Sequence, residues 1–180
     1  KEKLIGEELL KHKNIQTVVK KTSHVKGKLR TRKVKIIVGE KTKETVHKEN
    51  KCLIKLNIET CYFSPRLASD RLEIANQVKN KDKVLVMFAG VLPYALCIAK
   101  NSKAREIYAI ELNGEAIKYA KENIKLNKVD INLAQGNVKN IAKRLSKKIK
   151  FDRIVMPRPQ LKETFLKEAF ILAKKNSIIH

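Results

Sequence analysis

KVLVMFAGVLPYALCIAKN, residues 83–101, decides the fold. Val84 to Ala89 run without a polar residue, the pattern of a strand covered on both faces rather than on one. The run meets Gly90, and Pro93 then stands where a helix places its first residue. A buried strand, a short glycine-containing loop and a helix make the opening unit of a parallel α/β sheet.

The unit repeats downstream. EIYAIEL (106–112) reads as a second strand and GEAIKYAKENIKLN (114–127) as a helix with Ile117, Ala120 and Ile124 on one face. INLAQGN (131–137) is a third strand, KNIAKRLSKK (139–148) a helix and FDRIVM (151–156) a fourth strand. LKETFLKEAFILAKK (161–175) predicts a helix, and SIIH (177–180) begins a fifth strand. Upstream, Ser64-Pro65 looks like a helix start, with Leu67, Leu72, Ile74, Ala75 and Val78 forming its apolar face. The expected class is α/β, a parallel sheet with helices on both faces. The first 60 residues differ. A short helix (4–12) precedes β-type runs at 15–21, 34–39, 44–48 and 52–58, separated by turns. They predict a small α+β module with a mostly antiparallel sheet, and a division into 1–61 and 62–180.

Charge is unevenly spread. The chain of 180 residues carries 41 Lys/Arg against 18 Asp/Glu, a formal +23. Residues 1–55 hold 17 basic and six acidic residues, so the front third has about twice the charge density of the rest. That excess points to a polyanionic partner docking on the module. A lysine-rich, heat-adapted surface would give the same totals.

Cys52, Cys61 and Cys97 form no CxxC pair, and the four histidines form no HExxH, so no metal site is expected. No apolar run reaches the length of a membrane span and no signal-peptide pattern is present, which predicts a cytoplasmic protein.

In open α/β sheets, ligands lie beyond the C-terminal ends of the strands. The loop FAGVLPY (88–94) is therefore the first place to look. Gly90 lets the backbone approach a ligand, although GxGxxG is absent. The second strand ends in Glu111, an acid suited to ribose hydroxyls or simply a surface acid. The third ends near Asn137, able to bond an adenine edge or to serve as a turn residue.

FAG, a terminal acid about 20 residues later, GN and a polar loop after strand four together resemble the nucleoside pocket of class I (Rossmann-like) S-adenosylmethionine-dependent methyltransferases. YFSPRLASDRLEIA (62–75), VMFAGVLPYAL (86–96), YAIELNGEAIKYAKENIKLNKV (108–129) and DRIVMPRP (152–159) resemble the archaeal and eukaryotic tRNA guanine-37 N1-methyltransferases and their wyosine-pathway relatives. HVKGKLRTRKVKIIVGEKTKETVHKEN (24–50) is similar to that family's small RNA-binding module. Members usually carry a further N-terminal domain and further strands.

The resemblance implies S-adenosylmethionine as methyl donor and the tRNA anticodon stem-loop as partner. It implies Arg30 at guanine O6 and Asp70, where the family usually has glutamate, as the base that removes the N1 proton. Tyr62, Arg66, Phe88, Gly90, Glu111, Leu112, Asn137 and Val138 match cofactor positions, and Arg32, Arg71, Arg158 and Pro159 match the tRNA side. Plainer readings exist for the same residues. Arg30 can be one phosphate-binding cation among many, Asp70 a first-turn acid, Arg66 a solvent-facing side chain, and Tyr62 and Phe88 core.

MPRP (156–159) departs from the N-x-P of the simple guanine-37 enzymes, placing Pro157 where they hold an amide against the target base. Val86 and Leu92 also replace a usual Asp and Gly. P-x-P resembles the archaeal subgroup that also methylates carbon 7 of 4-demethylwyosine, a tricycle for which a smooth apolar wall is suited. The competing explanation is loss of activity, leaving a tRNA-binding relic.

Overall fold

A computed structural model describes residues 1–25, 27–157 and 163–180. A short helix, α1 (Glu2–Leu10), packs on a hairpin-like pair, β1 (Thr17–Lys21) and β2 (Val34–Gly39). A second antiparallel pair follows, β3 (Glu44–Glu49) and β4 (Cys52–Asn57), in register from Glu44↔Asn57 to Glu49↔Cys52. The single antiparallel sheet expected for the front of the chain is thus two separate two-stranded sheets.

A 3-10 turn (Pro65–Leu67) leads into α2 (Ala68–Gln77). Then strands and helices alternate: β5 (Lys83–Met87), α3 (Pro93–Asn101), β6 (Glu106–Glu111), α4 (Gly114–Asn127), β7 (Asn132–Gln135), α5 (Val138–Leu145), β8 (Phe151–Val155), α6 (Leu166–Leu172) and β9 (Ala173–Ile179). The five strands β5 to β9 form one parallel sheet of order β7-β6-β5-β8-β9. Val84, Leu85, Val86 and Met87 of the central strand have no exposure at all, as the unbroken apolar run requires. Val84 and Val86 face one core with α2, α3 and α4; Leu85 and Met87 face the other with α5 and α6.

The β3–β4 pair belongs to the first of these cores. Cys52, Ile54 and Leu56 of β4 are buried in the same cluster as Ala95, Leu96 and Tyr119. The expected division at residue 61 therefore cuts through a continuous apolar core.

The sixth helix is a correction. The sequence predicts helix to Lys175, but α6 ends at Leu172 and the chain turns directly into β9. Ala173 pairs with Phe151, Lys174 Nζ reaches both oxygens of Asp152 at 2.8 Å, and Asn176 adopts a φ of 63°. Pairing with a buried strand outweighs the modest helix preference of Ala-Lys-Lys. At the tip of β8, the Met156 N–H donates to the His180 carbonyl, and Pro157, which has no N–H, ends the ladder.

Candidate active site

The cleft lies above the C-terminal ends of β5, β6 and β8, where the strand order reverses around β5. Its walls come from three places. The segment before β2 supplies Lys28, Leu29 and Arg30; residues 62–71 supply Tyr62, Phe63, Ser64, Leu67 and Arg71; the sheet's loops supply Phe88, Gly90, Tyr94, Glu111, Leu112, Asn113 and Pro157.

The loop after β5 is built from left-handed residues. Phe88, Gly90 and Leu92 have φ of 54°, 56° and 74°. Alternating positive φ folds the chain sharply enough to expose backbone to the cleft before α3 begins. A side chain at Gly90 would meet the Tyr62 carbonyl at 3.7 Å, ordinary contact, so the glycine is required by its φ more than by crowding. Leu92 has no exposure and no such freedom, so its conformation is strained.

Glu111 is held at the end of β6. Its Oε2 accepts the Gly90 N–H at 2.6 Å and its Oε1 accepts the Asn113 N–H at 2.7 Å. Each carboxylate oxygen retains a lone pair, so the group can still accept from hydroxyls in the cleft. Asn113 caps α4 through the Glu115 N–H at 3.0 Å and donates to the Thr60 carbonyl at 2.8 Å, tying this corner to the chain before Tyr62.

Arg30 lies over the Tyr62 ring, 4.4 Å from its centroid, and has a φ of 53°. A guanidinium on an aromatic face keeps a defined orientation. Phe88 meets Phe165 edge-on at 4.9 Å.

The structure therefore gathers Arg30, Tyr62, Phe88, Gly90, Glu111, Leu112 and Pro157 around one space. Other sequence candidates lie elsewhere. Asp70 is exposed on the first turn of α2 and is absent from the cleft lining, but its Oδ2 accepts the Tyr94 hydroxyl at 2.5 Å. Arg66 is exposed on the 3-10 turn, away from the lining. Asn137 caps α5 through the Lys139 N–H at 2.9 Å, and Val138 is 4% exposed in the second core. Arg32 lines a separate cavity between β1–β2 and the β3–β4 pair, beside His47 and Phe63. Arg158 and Pro159 lie outside the described residues.

Arg71 is a correction. The sequence suggests a tRNA-facing cation, yet its side chain is 1% exposed. Its Nε and a terminal nitrogen bond the two Glu49 oxygens at 2.5 and 2.7 Å, and the latter also donates to the Ser64 carbonyl at 3.1 Å. The guanidinium sits between the Phe63 and Tyr94 rings. With two of its nitrogens held by Glu49 and Ser64, Arg71 is a fixed, buried brace within the cleft wall.

Tyr94 and Asn113 are cleft residues that the sequence reading passed over. A polar ring beside Pro93, on a helix otherwise apolar as far as Ala99, was the available signal for Tyr94. Asn113 was readable as an N-cap, but its tie to Thr60 was not.

Among the described residues, no group of three or more His, Cys, Asp or Glu could hold a metal ion, and no helix is long and apolar enough to cross a membrane.

A parallel sheet with its cleft at the switch point, closed by a basic module, defines a class I methyltransferase fold with an appended domain. The chain belongs to the TRM5/TYW2 methyltransferase family: residues 45–180 match the TRM5/TYW2 methyltransferase domain, and residues 1–42 match the TYW2 N-terminal domain. It is 34% identical over 224 residues to tRNA (guanine(37)-N(1))/4-demethylwyosine(37)-methyltransferase Taw22 of Nanoarchaeum equitans, covering 97% of this chain and 75% of that one. The structure of aTrm5 in complex with tRNALeu superposes with a TM-score of 0.87 at 33% identity, covering 99% of this chain and 51% of that chain. Methanocaldococcus jannaschii TYW2 in complex with AdoMet gives 0.72 at 33% identity, covering 82% and 65%. The chain spans about half the length of other curated relatives it matches, 49% and 51% for two archaeal Trm5b proteins.

Proposed function

We propose that this protein methylates the N1 atom of guanosine 37 in the tRNA anticodon loop and carbon 7 of 4-demethylwyosine at the same position, using S-adenosylmethionine. The observation that carries the reading is the meeting of Arg30, from the basic module, with Glu111 and Pro157, from the sheet, around one cleft. Relatives named for each activity, and one named for both, support it.

The cleft fits the donor. Glu111 offers a fixed carboxylate for ribose hydroxyls, and Phe88 and Leu112 offer apolar surface for a base. When bound, S-adenosylmethionine supplies an electrophilic methyl group. The chain's residues do the rest. Arg30, oriented on Tyr62, holds the charge that develops on guanine O6 as N1 loses its proton. Asp70 is the final acceptor of that proton. Pro157 presents a flat wall in place of a hydrogen-bonding side chain, so a tricyclic base is gripped by shape and stacking.

The target base sits in a loop, where it can be flipped into the cleft. The basic residues of 1–55 contact stem phosphates, so affinity falls steeply with salt. We take residues 1–61 as the tRNA-contacting part, with β3–β4 serving also as its anchor.

The test uses labelled S-adenosylmethionine with tRNA carrying guanosine 37 or 4-demethylwyosine, read by nucleoside mass spectrometry. Methyl on both is expected. Pro157→Asn is expected to lower transfer to 4-demethylwyosine by about tenfold or more relative to guanosine, as loss of ~1–2 kcal/mol of shape complementarity implies. An unchanged ratio removes Pro157 from the account of substrate range.

A further inference from the structure

We propose that the Tyr94 hydroxyl relays the proton from the target base to Asp70. The inference rests on the methyl-transfer reading above and assigns a residue to it. Asp70 is on α2 and does not line the cleft; Tyr94, on the first turn of α3, does. The Tyr94 O–H already donates to Asp70 Oδ2 at 2.5 Å. An aspartate side chain is short, and the phenol lengthens its reach by the width of a ring.

The step balances. The N1–H bond of guanine breaks and its proton passes to Tyr94 Oη. At the same time the Tyr94 O–H proton passes to Asp70 Oδ2, so the carboxylate becomes a carboxylic acid. The freed N1 electron pair takes the methyl group from the sulfonium, which leaves as a neutral thioether. Tyr94 begins and ends as a phenol, with no phenolate required.

The surroundings suit a conduit. Burial, then the Asp70 carboxylate, holds the phenol's ionisation well above its usual range, so it stays protonated at every working pH. The charged groups facing the pair are Arg71 of α2, whose guanidinium lies 5.6 Å from the Tyr94 ring, Glu49 of β3 and, toward Asp70, His180 after β9. Arg71 and Glu49 are bound to each other, so neither competes for the relayed proton.

The test compares wild type, Tyr94→Phe, and Tyr94→Phe combined with Asp70→Glu in the intact protein. It measures single-turnover methyl transfer to guanosine 37 from pH 6 to 9, with S-adenosylmethionine affinity and thermal midpoint as checks on the fold. Tyr94→Phe is expected to slow transfer by ~10²-fold near pH 7, the scale of one lost acid–base contact. The deficit shrinks as pH rises, because N1–H then ionises without help. Asp70→Glu in the same chain is expected to restore at least tenfold, since a longer carboxylate reaches past the missing hydroxyl. A purely structural tyrosine predicts neither the pH-dependent deficit nor the rescue. Tyr94→Phe within threefold of wild type throughout overturns the relay and leaves methyl transfer standing. A wild-type protein that transfers no methyl to any guanosine-37 tRNA overturns the functional reading itself, and the relay with it.

Discussion

Asn123 on α4 grips Lys55 on β4 by both of its backbone polar groups: Oδ1 accepts the Lys55 N–H at 2.8 Å, and Nδ2 donates to the Lys55 carbonyl at 3.0 Å. Asn127 does the same to Leu53, at 2.9 and 2.7 Å. Four helical residues rise about 6 Å and two strand residues about 6.7 Å. Two asparagines one turn apart can therefore stand in for a neighbouring strand along the outer edge of β4. They satisfy an edge that would otherwise be buried without partners.

Asn123→Leu removes those partners and also a donor to the Val91 carbonyl. The change is expected to cost ~2–4 kcal/mol, read as a lower urea midpoint with an unchanged slope. Because Glu49 lies on the paired strand β3, loosening β4 should also slow methyl transfer.

The Arg71–Glu49 pair predicts a sharper penalty. Arg71→Met removes the guanidinium from a buried carboxylate, leaving it only the His47 ring at 3.0 Å, and is expected to destabilise by ~3–5 kcal/mol in denaturant unfolding. Glu49→Leu in the same chain should recover much of that stability. Transfer activity should stay low, because the Ser64 carbonyl and the start of α2 are still unheld.

Leu92 sets strain against packing. Leu92→Gly relieves the positive φ, worth ~1 kcal/mol, but deletes a fully buried side chain worth ~2–5 kcal/mol. The variant is expected to unfold at lower denaturant by calorimetry or urea titration. Equal or greater stability would mean that the strain at this loop is larger than the φ suggests.

Alkaline pH should weaken the fold. Burial pushes the Cys52 thiol up to about 12 and the Cys97 thiol up to about 11. In the unfolded chain such thiols ionise near ~8.5. Below that value both states keep their protons and the contribution is complete. Above it the unfolded state loses protons that the native state retains, so stability declines as pH rises toward about 11 and 12. Urea midpoints measured from pH 7 to 11 should fall, and Cys97→Ala should make the decline shallower.

Much of this was visible in the chain itself. The apolar runs at 83–90 and 106–112, the Pro93 helix start and the helix at 114–127 specified a parallel sheet, because periodicity and caps act over a few residues. Motif order carried the family for the same reason: FAG, Glu111 and MPRP mark strand ends, and strand ends make the cleft.

What the sequence could not fix were relationships across the fold. The end of α6 depended on Ala173 finding Phe151, 22 residues away in the chain. Arg71 looked like a surface cation until Glu49 buried it, and Asp70 looked like a cleft residue until Tyr94 stood between it and the space. Local propensity depends on neighbours along the backbone, so a sequence determines elements, their order and the loops that carry chemistry. Burial and pairing are set by which distant surfaces meet, and only the tertiary structure decides whether a charge faces its ligand or holds up the wall behind it.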